Sequence, residues 1–231
     1  MGGQACVFYG AVEFSRDADI LILADPPNLD RLALALADLV AESIAVPPFS
    51  PEYLARGHGV HFRCAHPEAF RMRIDVMAKL RGVDPFAVVW DRRTTITDQD
   101  GTVFELLSLP DLVLSKKTQR DKDWPVIRRL LEADFQARPD ADERAIRFWL
   151  REMRTPELLI ELATRHPALT LDLFPTRCLL EAARQRDQAG VEAGLMAEEQ
   201  KERERDRKYW RPLKAELVEL RAQLARRNLP N

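Results

Sequence analysis

The chain has 231 residues, 31% of them charged, with 35 basic against 37 acidic side chains and a formal net charge of −2. That balance excludes a broadly basic nucleic-acid binder, so any grip on a polyanion must be local. Three widely spaced cysteines, Cys6, Cys64 and Cys178, argue against a disulfide framework, and no apolar run approaches a membrane span or a signal peptide, so the expectation is a cytoplasmic protein with no membrane partner.

The first stretch that carries chemistry is GGQACVFYGAVEFSRDADILI, Gly2 to Ile22. Gly2 and Gly3 allow a backbone to approach phosphate oxygens closely, since no side chain intervenes. Residues 4–9 read as a helix packing Ala5, Val7 and Phe8, and 18–24 as the first strand. Asp17 and Asp19, one residue apart at a strand end, point to one face because strand side chains alternate, and that face can hold a divalent cation. An Asp-x-Asp alone is more often an exposed acidic turn, so the pair needs support from elsewhere in the chain.

Pro26-Pro27 ends the strand, and a helix follows, capped by Asn28 or Asp30, with Leu29, Leu32, Leu36, Leu39 and Val40 as its apolar stripe; Pro47-Pro48 closes it. Residues 58–66 and 71–77 read as a pair of strands. Asp75 lies in the apolar frame Ile74-Asp75-Val76, where an acid is costly unless it has a partner. A metal shared with Asp17 and Asp19 would supply one. His58, His61, Cys64 and His66 are zinc-ligand types, but alternation puts His61 on the opposite side from the others, so ordinary strand residues are expected.

Residues 86–90 and 102–107 read as two more strands, with Asp98-Gln99-Asp100-Gly101 as a hairpin turn. Ser108 and Pro110 open a helix on which Lys116 and Arg120, four apart, share a face. They can hold a triphosphate or pair with Asp111 and Asp123, and Asp123 is the expected cap of a helix over 124–134. Beyond Pro139 three helices are expected, at 141–153, 156–165 and 175–186, then a charged helix from Glu192 to Asn228 with Pro212 as a kink or break. Leu213, Leu217, Leu220 and Leu224 have coiled-coil spacing over less than two heptads, which suits docking on the protein's own body or a partner better than a free dimer.

Taken together, these motifs resemble the nucleotidyltransferase superfamily with its polymerase-beta-like core. Met1-Gly2-Gly3, the spacer 4–16, Asp17-Ala18-Asp19-Ile20 and Ile74-Asp75-Val76 match its glycine pair, acid pair and third acid. Tyr9-Gly10 and Ser15 look like the small bacterial branch that includes the AbiEii-type toxins, although Glu13 stands where that branch carries Arg. Lys116, Arg120 and Asp123 look like that branch's basic helix.

The resemblance covers roughly residues 1–135 and implies an α+β fold: a mixed-sheet core over 1–135, a helical subdomain over 140–190, and a charged helix with a short leucine seam over 191–231. It implies Asp17, Asp19 and Asp75 as catalytic residues and ligands of two Mg²⁺ ions, with Gly2, Gly3, Ser15, Lys116 and Arg120 binding a nucleoside triphosphate. The implied activity moves a nucleoside monophosphate to RNA or protein, and the implied role is the toxin of a toxin–antitoxin pair, with an antitoxin as partner. Arg144, Arg147, Arg151 and Arg154 would grip RNA, unless they pair with Glu143, Glu152 and Glu157 instead. The resemblance also implies structure ahead of the glycine pair, hence a coding start upstream of Met1. The competing reading is a catalytically silent module that keeps the fold and binds a partner protein.

Overall fold

Alternating apolar residues dictate the sheet, and the computed structural model describes residues 1–227 of it and of the helices around it. In chain order the elements are α1 (Gly2–Phe8), β1 (Asp17–Leu21), α2 (Pro26–Asp38), β2 (Ala41–Ser43), α3 (Pro51–Arg56), β3 (Val60–Cys64) and β4 (Arg73–Met77). There follow α4 (Phe86–Asp91), β5 (Thr94–Thr97), β6 (Val103–Leu106) and α5 (Leu109–Lys116). The helices α6 (Asp123–Ala137), α7 (Glu143–Glu152), α8 (Pro156–Arg165), α9 (Pro167–Leu173), α10 (Leu180–Arg184) and α11 (Gln188–Arg227) complete the described chain. The protein is therefore mixed α/β, richer in helix than in strand.

The main sheet runs β1-β4-β3-β2, with β1 and β4 parallel and the other pairs antiparallel. One face carries Ile22, Val60, Phe62, Cys64, Ile74 and Val76, which pack with Leu29 and Leu36 of α2 and Leu54 of α3 into an apolar core. Because side chains alternate, the same strands send Asp17, Asp19, His61, Arg73 and Asp75 to the other face. Every second residue thus serves the core and the remainder forms the candidate site.

Several local expectations are corrected. Asp25, not Asn28 or Asp30, caps α2: its Oδ1 accepts the Asn28 amide at 2.9 Å, with Pro26 in the first turn, where its missing N–H costs nothing. That helix ends at Asp38, before β2, well short of Pro47-Pro48. Residues Phe86–Trp90 lie in a helix, not a strand, and the hairpin partner of β6 is β5, across the expected turn. The buried Asp111 explains why α4 and α5 hold together: it receives Arg92 Nε and Nη2 at 2.7 and 2.5 Å and the Ser108 hydroxyl at 2.6 Å. Helix α10 covers only Leu180–Arg184 of the helix expected over 175–186, and α9, over Pro167–Leu173, was not expected.

The described chain divides into two compact units: residues 1–8, 12–115 and 207–227 form the first, and residues 9–11 and 116–206 the second. Helix α11 contributes to both and continues through Pro212 without a break, where a kink or a break was expected. Its expected end at Asn228 lies outside the described residues. In the first unit the leucine seam docks on the protein's own body. Leu213 is buried near Gly57, Leu224 is exposed, and Glu216 binds Arg56 at 2.6 Å and the buried His58 at 2.7 Å. In the second unit, α6 to α10 and the first part of α11 enclose Ile127, Leu130, Leu150, Leu159, Leu162 and Leu180.

Candidate functional site

The site grows from the parallel pairing of β1 and β4, whose register sets Asp17 beside Arg73 and Asp19 beside Asp75. Neighbours in register project to the same side, so the three acids expected from the sequence share one sheet face. The antiparallel partner β3 adds His61 opposite Asp75. Asp75 Oδ1 lies 2.8 Å from His61 Nδ1 and 2.7 Å from Arg73 Nε. Arg73 Nη2 also comes within 3.1 Å of His61 Nδ1. One ring nitrogen cannot both donate to Asp75 and accept from Arg73. We assign the Nδ1 proton to the carboxylate bond, which is shorter and joins a donor to an anion.

Burial pushes the Asp75 carboxyl up, but the bonds from His61 and Arg73 outweigh it and hold Asp75 below its ordinary value. The same bond raises Arg73, against its burial, and the charges of Asp75, Asp17 and Asp19 add to the effect. Arg73 therefore lies within electrostatic reach of all three acids.

Gly2 and Gly3 close the site from the side of α1. The Gly3 amide donates to Asp19 Oδ2 at 3.1 Å, and the Met1 ammonium donates to the Asp19 carbonyl at 2.8 Å. A Cβ on Gly2 would stand 1.9 Å from Asp19 Oδ2, and one on Gly3 would stand 2.2 Å from Ser15 Oγ. Gly2 also has φ of +67°, a left-handed conformation that favours glycine. The glycine pair is thus required by the acid it abuts. Ser15 Oγ donates to the Asp17 carbonyl at 3.2 Å, and Gln4 Nε2 to the Ser15 carbonyl at 3.0 Å, which pins the spacer to the head of β1. Glu13 is exposed.

Lys116 and Arg120 do not share a helix face, because α5 ends at Lys116 and Arg120 lies in the connection to α6. Both belong to the second unit and both engage the buried Asp123: Arg120 Nε at 2.8 Å, Lys116 Nζ at 3.7 Å. Asp123 also receives the Thr118 hydroxyl at 2.5 Å and is the first residue of α6, whose start it does not cap. The helix yields here because local side-chain bonds offer the backbone an alternative to another helical turn.

Arg73, which the sequence did not single out, and His61, which was expected to be an ordinary strand residue, complete the acid face. Arg73 was findable in RMRIDVM, since it stands two before Asp75 and so shares its side; His61 required the β3–β4 register. His58 is buried against Glu216, well apart in role from His61, so the histidines and Cys64 do not form one zinc site.

Carboxylate oxygens are hard donors of the type Mg²⁺ takes. By donor chemistry and common face the three acids suit such an ion, although among the described residues no group of three or more His, Cys, Asp or Glu side chains is placed to ligate one. Neither a protein-family model nor a curated protein matches this chain. Among the described residues no helix is long and apolar enough to cross a membrane.

Proposed function

We propose that the chain is a metal-dependent nucleotidyltransferase that moves a nucleoside monophosphate from a nucleoside triphosphate to a macromolecular acceptor, RNA before protein, as the toxin of a toxin–antitoxin pair. The observation that carries this reading is the fit of Gly2 against Asp19 on a face where Asp17, Asp19 and Asp75 lie in register. An acidic turn on a surface would need no left-handed glycine within contact distance of its carboxylate.

Asp17, Asp19 and Asp75 would hold Mg²⁺, which supplies charge neutralisation at the triphosphate and at the attacking and leaving oxygens. Asp75, kept ionised by His61 and Arg73 and so a weak base, would act as a metal ligand that helps to activate the acceptor hydroxyl, whose proton passes to water. The hydroxyl oxygen bonds to the α-phosphorus and the bond to the bridging oxygen breaks, releasing pyrophosphate. Gly2, Gly3 and Ser15 shape the phosphate side, and Arg73 balances the acids before substrate arrives. Lys116 and Arg120 are left out of this reading because both are paired with Asp123.

The test is incubation of the protein with each labelled nucleoside triphosphate, Mg²⁺, and total RNA or cell lysate. Label should appear in a macromolecular fraction and fall about a thousandfold or more in Asp17→Asn, Asp19→Asn and Asp75→Asn, each folded by circular dichroism, consistent with removal of charge stabilisation at the reacting phosphate. Full activity in Asp75→Asn removes the third acid from the site. Absence of label under every nucleotide favours the catalytically silent module, for which the self-docked leucine seam offers a partner-exchange surface.

A further inference from the structure

A cleft of about 170 Å³ in the first unit is lined by Asp19, Leu21, Phe86, Val89, Trp90 and Arg93, and by Glu105 to Leu107 behind them. We infer that it takes the base of a nucleotide whose phosphates face the acid row. This rests on the transferase reading for the phosphates, and on the cleft alone for the base.

The first argument is size. Sites that enclose a whole drug-sized ligand span about 300–1,000 Å³, so a space of this volume takes a ring and leaves the remainder outside. The second argument is the wall. Phe86 and Trp90 stack with ring centroids 5.6 Å apart and planes 19° apart, and the Arg93 guanidinium lies 4.0 Å from the Trp90 ring centre. Trp90 is 42% exposed although it is the largest apolar side chain of α4. A base would extend this stack, since aromatic and guanidinium planes both receive bases.

The third argument is the polar edge. Among the described residues strand β1 pairs only with β4, and the Ile22 amide donates to the Met77 carbonyl, so the alternate residues Asp19 and Leu21 direct their backbone groups to the other side, where the cleft lies; the Asp19 carbonyl is taken there by the Met1 ammonium, and Leu21 is the residue that presents both groups. A backbone N–H and C=O row is complementary to the edge of a heterocycle. Glu105 stands on the other wall, positioned by Arg93 Nε at 2.8 Å and the Thr95 hydroxyl at 2.6 Å, as an acceptor for a ring amine. The fourth argument is continuity: Asp19 belongs both to the cleft and to the acid face, so a ligand seated here continues to the acids without a turn in the chain.

The experiment uses the full chain with adenosine, guanosine, cytidine and uridine, which carry no phosphate, in the absence of Mg²⁺. The emission of Trp90, isolated by subtracting the spectrum of Trp90→Phe, should change saturably with at least one nucleoside. In the transfer assay Trp90→Ala should raise the nucleotide KM about tenfold with kcat within about twofold, while Trp90→Phe, which keeps a stacking face, stays near wild type. Arg93→Ala should raise KM by a smaller factor. If no nucleoside perturbs Trp90 and Trp90→Ala transfers with an unchanged KM, the cleft is not the base site, and the transferase reading stands. If nucleosides bind and Trp90→Ala abolishes that binding while the wild type labels nothing, the cleft stands and the transferase reading falls.

Discussion

Arg73 and Arg177 each stand among acids, and they differ in what surrounds them. Arg177, in the second unit, is 6% exposed and fully engaged: Nε and Nη2 meet the two oxygens of Glu198 at 2.9 Å, Nη1 reaches the Leu150 carbonyl at 2.8 Å, and Nη2 reaches the Met153 carbonyl at 3.0 Å. Arg154 joins the same Glu198 at 2.8 Å. One carboxylate and two carbonyls saturate Arg177, Arg154 adds a second cation at that carboxylate, and the result is a staple between α7, the loop that follows it, and α11. Arg73, in the first unit, is 38% exposed at its side chain, bonds one carboxylate, and feels two more. There the acids outnumber the cation. A saturated arginine holds a fold together, whereas acids in excess on an open sheet face keep a demand for positive charge, and that demand marks the site.

The comparison breaks most visibly at the staple. Arg177→Ala leaves the Leu150 and Met153 carbonyls without their donor and Glu198, a third exposed, with Arg154 alone, and should destabilise the protein by about 2–4 kcal/mol. Urea unfolding followed at 222 nm measures it. Arg177→Lys should recover little, because one ammonium cannot span a bidentate carboxylate and two carbonyls.

Next in size comes the glycine pair. Gly2→Ala must displace the Asp19 carboxylate by more than 1 Å, and should lower transfer about a hundredfold, since a misplacement of that order costs about that much. Gly3→Ala meets Ser15 Oγ at 2.2 Å and Ser15 Cβ at 2.9 Å, so its loss should be smaller and should be relieved in part by Ser15→Ala, which removes the closer atom. Equal losses in the two glycine variants, unrelieved by Ser15→Ala, would mean that the pair acts through backbone flexibility and not through contact with Asp19.

The acid face sharpens the comparison through pH. Asp75 has a folded-state value held below the ordinary 3.8, so its ionised form stabilises the fold. That contribution is full above the unfolded value and is lost as pH falls below about 3.8 through the folded value. In Arg73→Gln the depression shrinks, so the acid limb of a melting-temperature profile between pH 5 and 2 should flatten. The change at neutral pH should stay within about 1 kcal/mol because the pair is partly solvated. Added Mg²⁺ should raise the melting temperature of Arg73→Gln more than that of the wild type. An Mg²⁺ effect that is equal in both would separate Arg73 from the metal site.

How much of this was legible follows from the range of each interaction. The acid face was readable because period-two alternation is local: Asp17 with Asp19, and Asp75 within its apolar frame, need no knowledge of the fold. The hairpin turn at 98–101 and the span Pro156–Arg165 of α8 were likewise fixed within a few residues, the first by turn chemistry and the second by the prolines at 156 and 167. Residues 86–90 misled because Phe86, Val88, Val89 and Trp90 favour strands, and only tertiary context turned a segment with four such residues into a helix with Val89 buried. The bond from His61 to Asp75 required the register of β3 on β4, and the bond from His58 to Glu216 joins residues 158 apart. Neither pairing leaves a local pattern. Lys116 and Arg120 failed as a helix pair because Asp123, three residues past Arg120, gathers both.

The smallest expected effect concerns the arginines of α7 and its C-terminal end, which the sequence reading offered as a grip on RNA. Arg147 pairs with Glu143 at 2.6 Å and also with Asp172, both exposed, and Arg154 is buried against Glu198 and the Leu195 carbonyl, so Arg147 is already engaged and Arg154 has no guanidinium to offer without disrupting the second unit. Arg144 and Arg151 are exposed. Reversing both to Glu should change stability by about 0.5 kcal/mol or less, as surface substitutions do. If RNA is the acceptor and these two side chains meet phosphates, the same double variant should flatten the slope of log affinity against log salt by about 1.4, since each single-strand phosphate contact contributes about 0.7. Filter binding of labelled total RNA at 50 to 200 mM salt reads that slope. A double variant that keeps both the slope and the labelling of RNA places the grip elsewhere, and one that keeps the labelling of protein alone removes RNA as the acceptor. Because the four arginines recur at helical spacing, only the partner of each separates a structural ion pair from an available charge, and here that leaves two of the four.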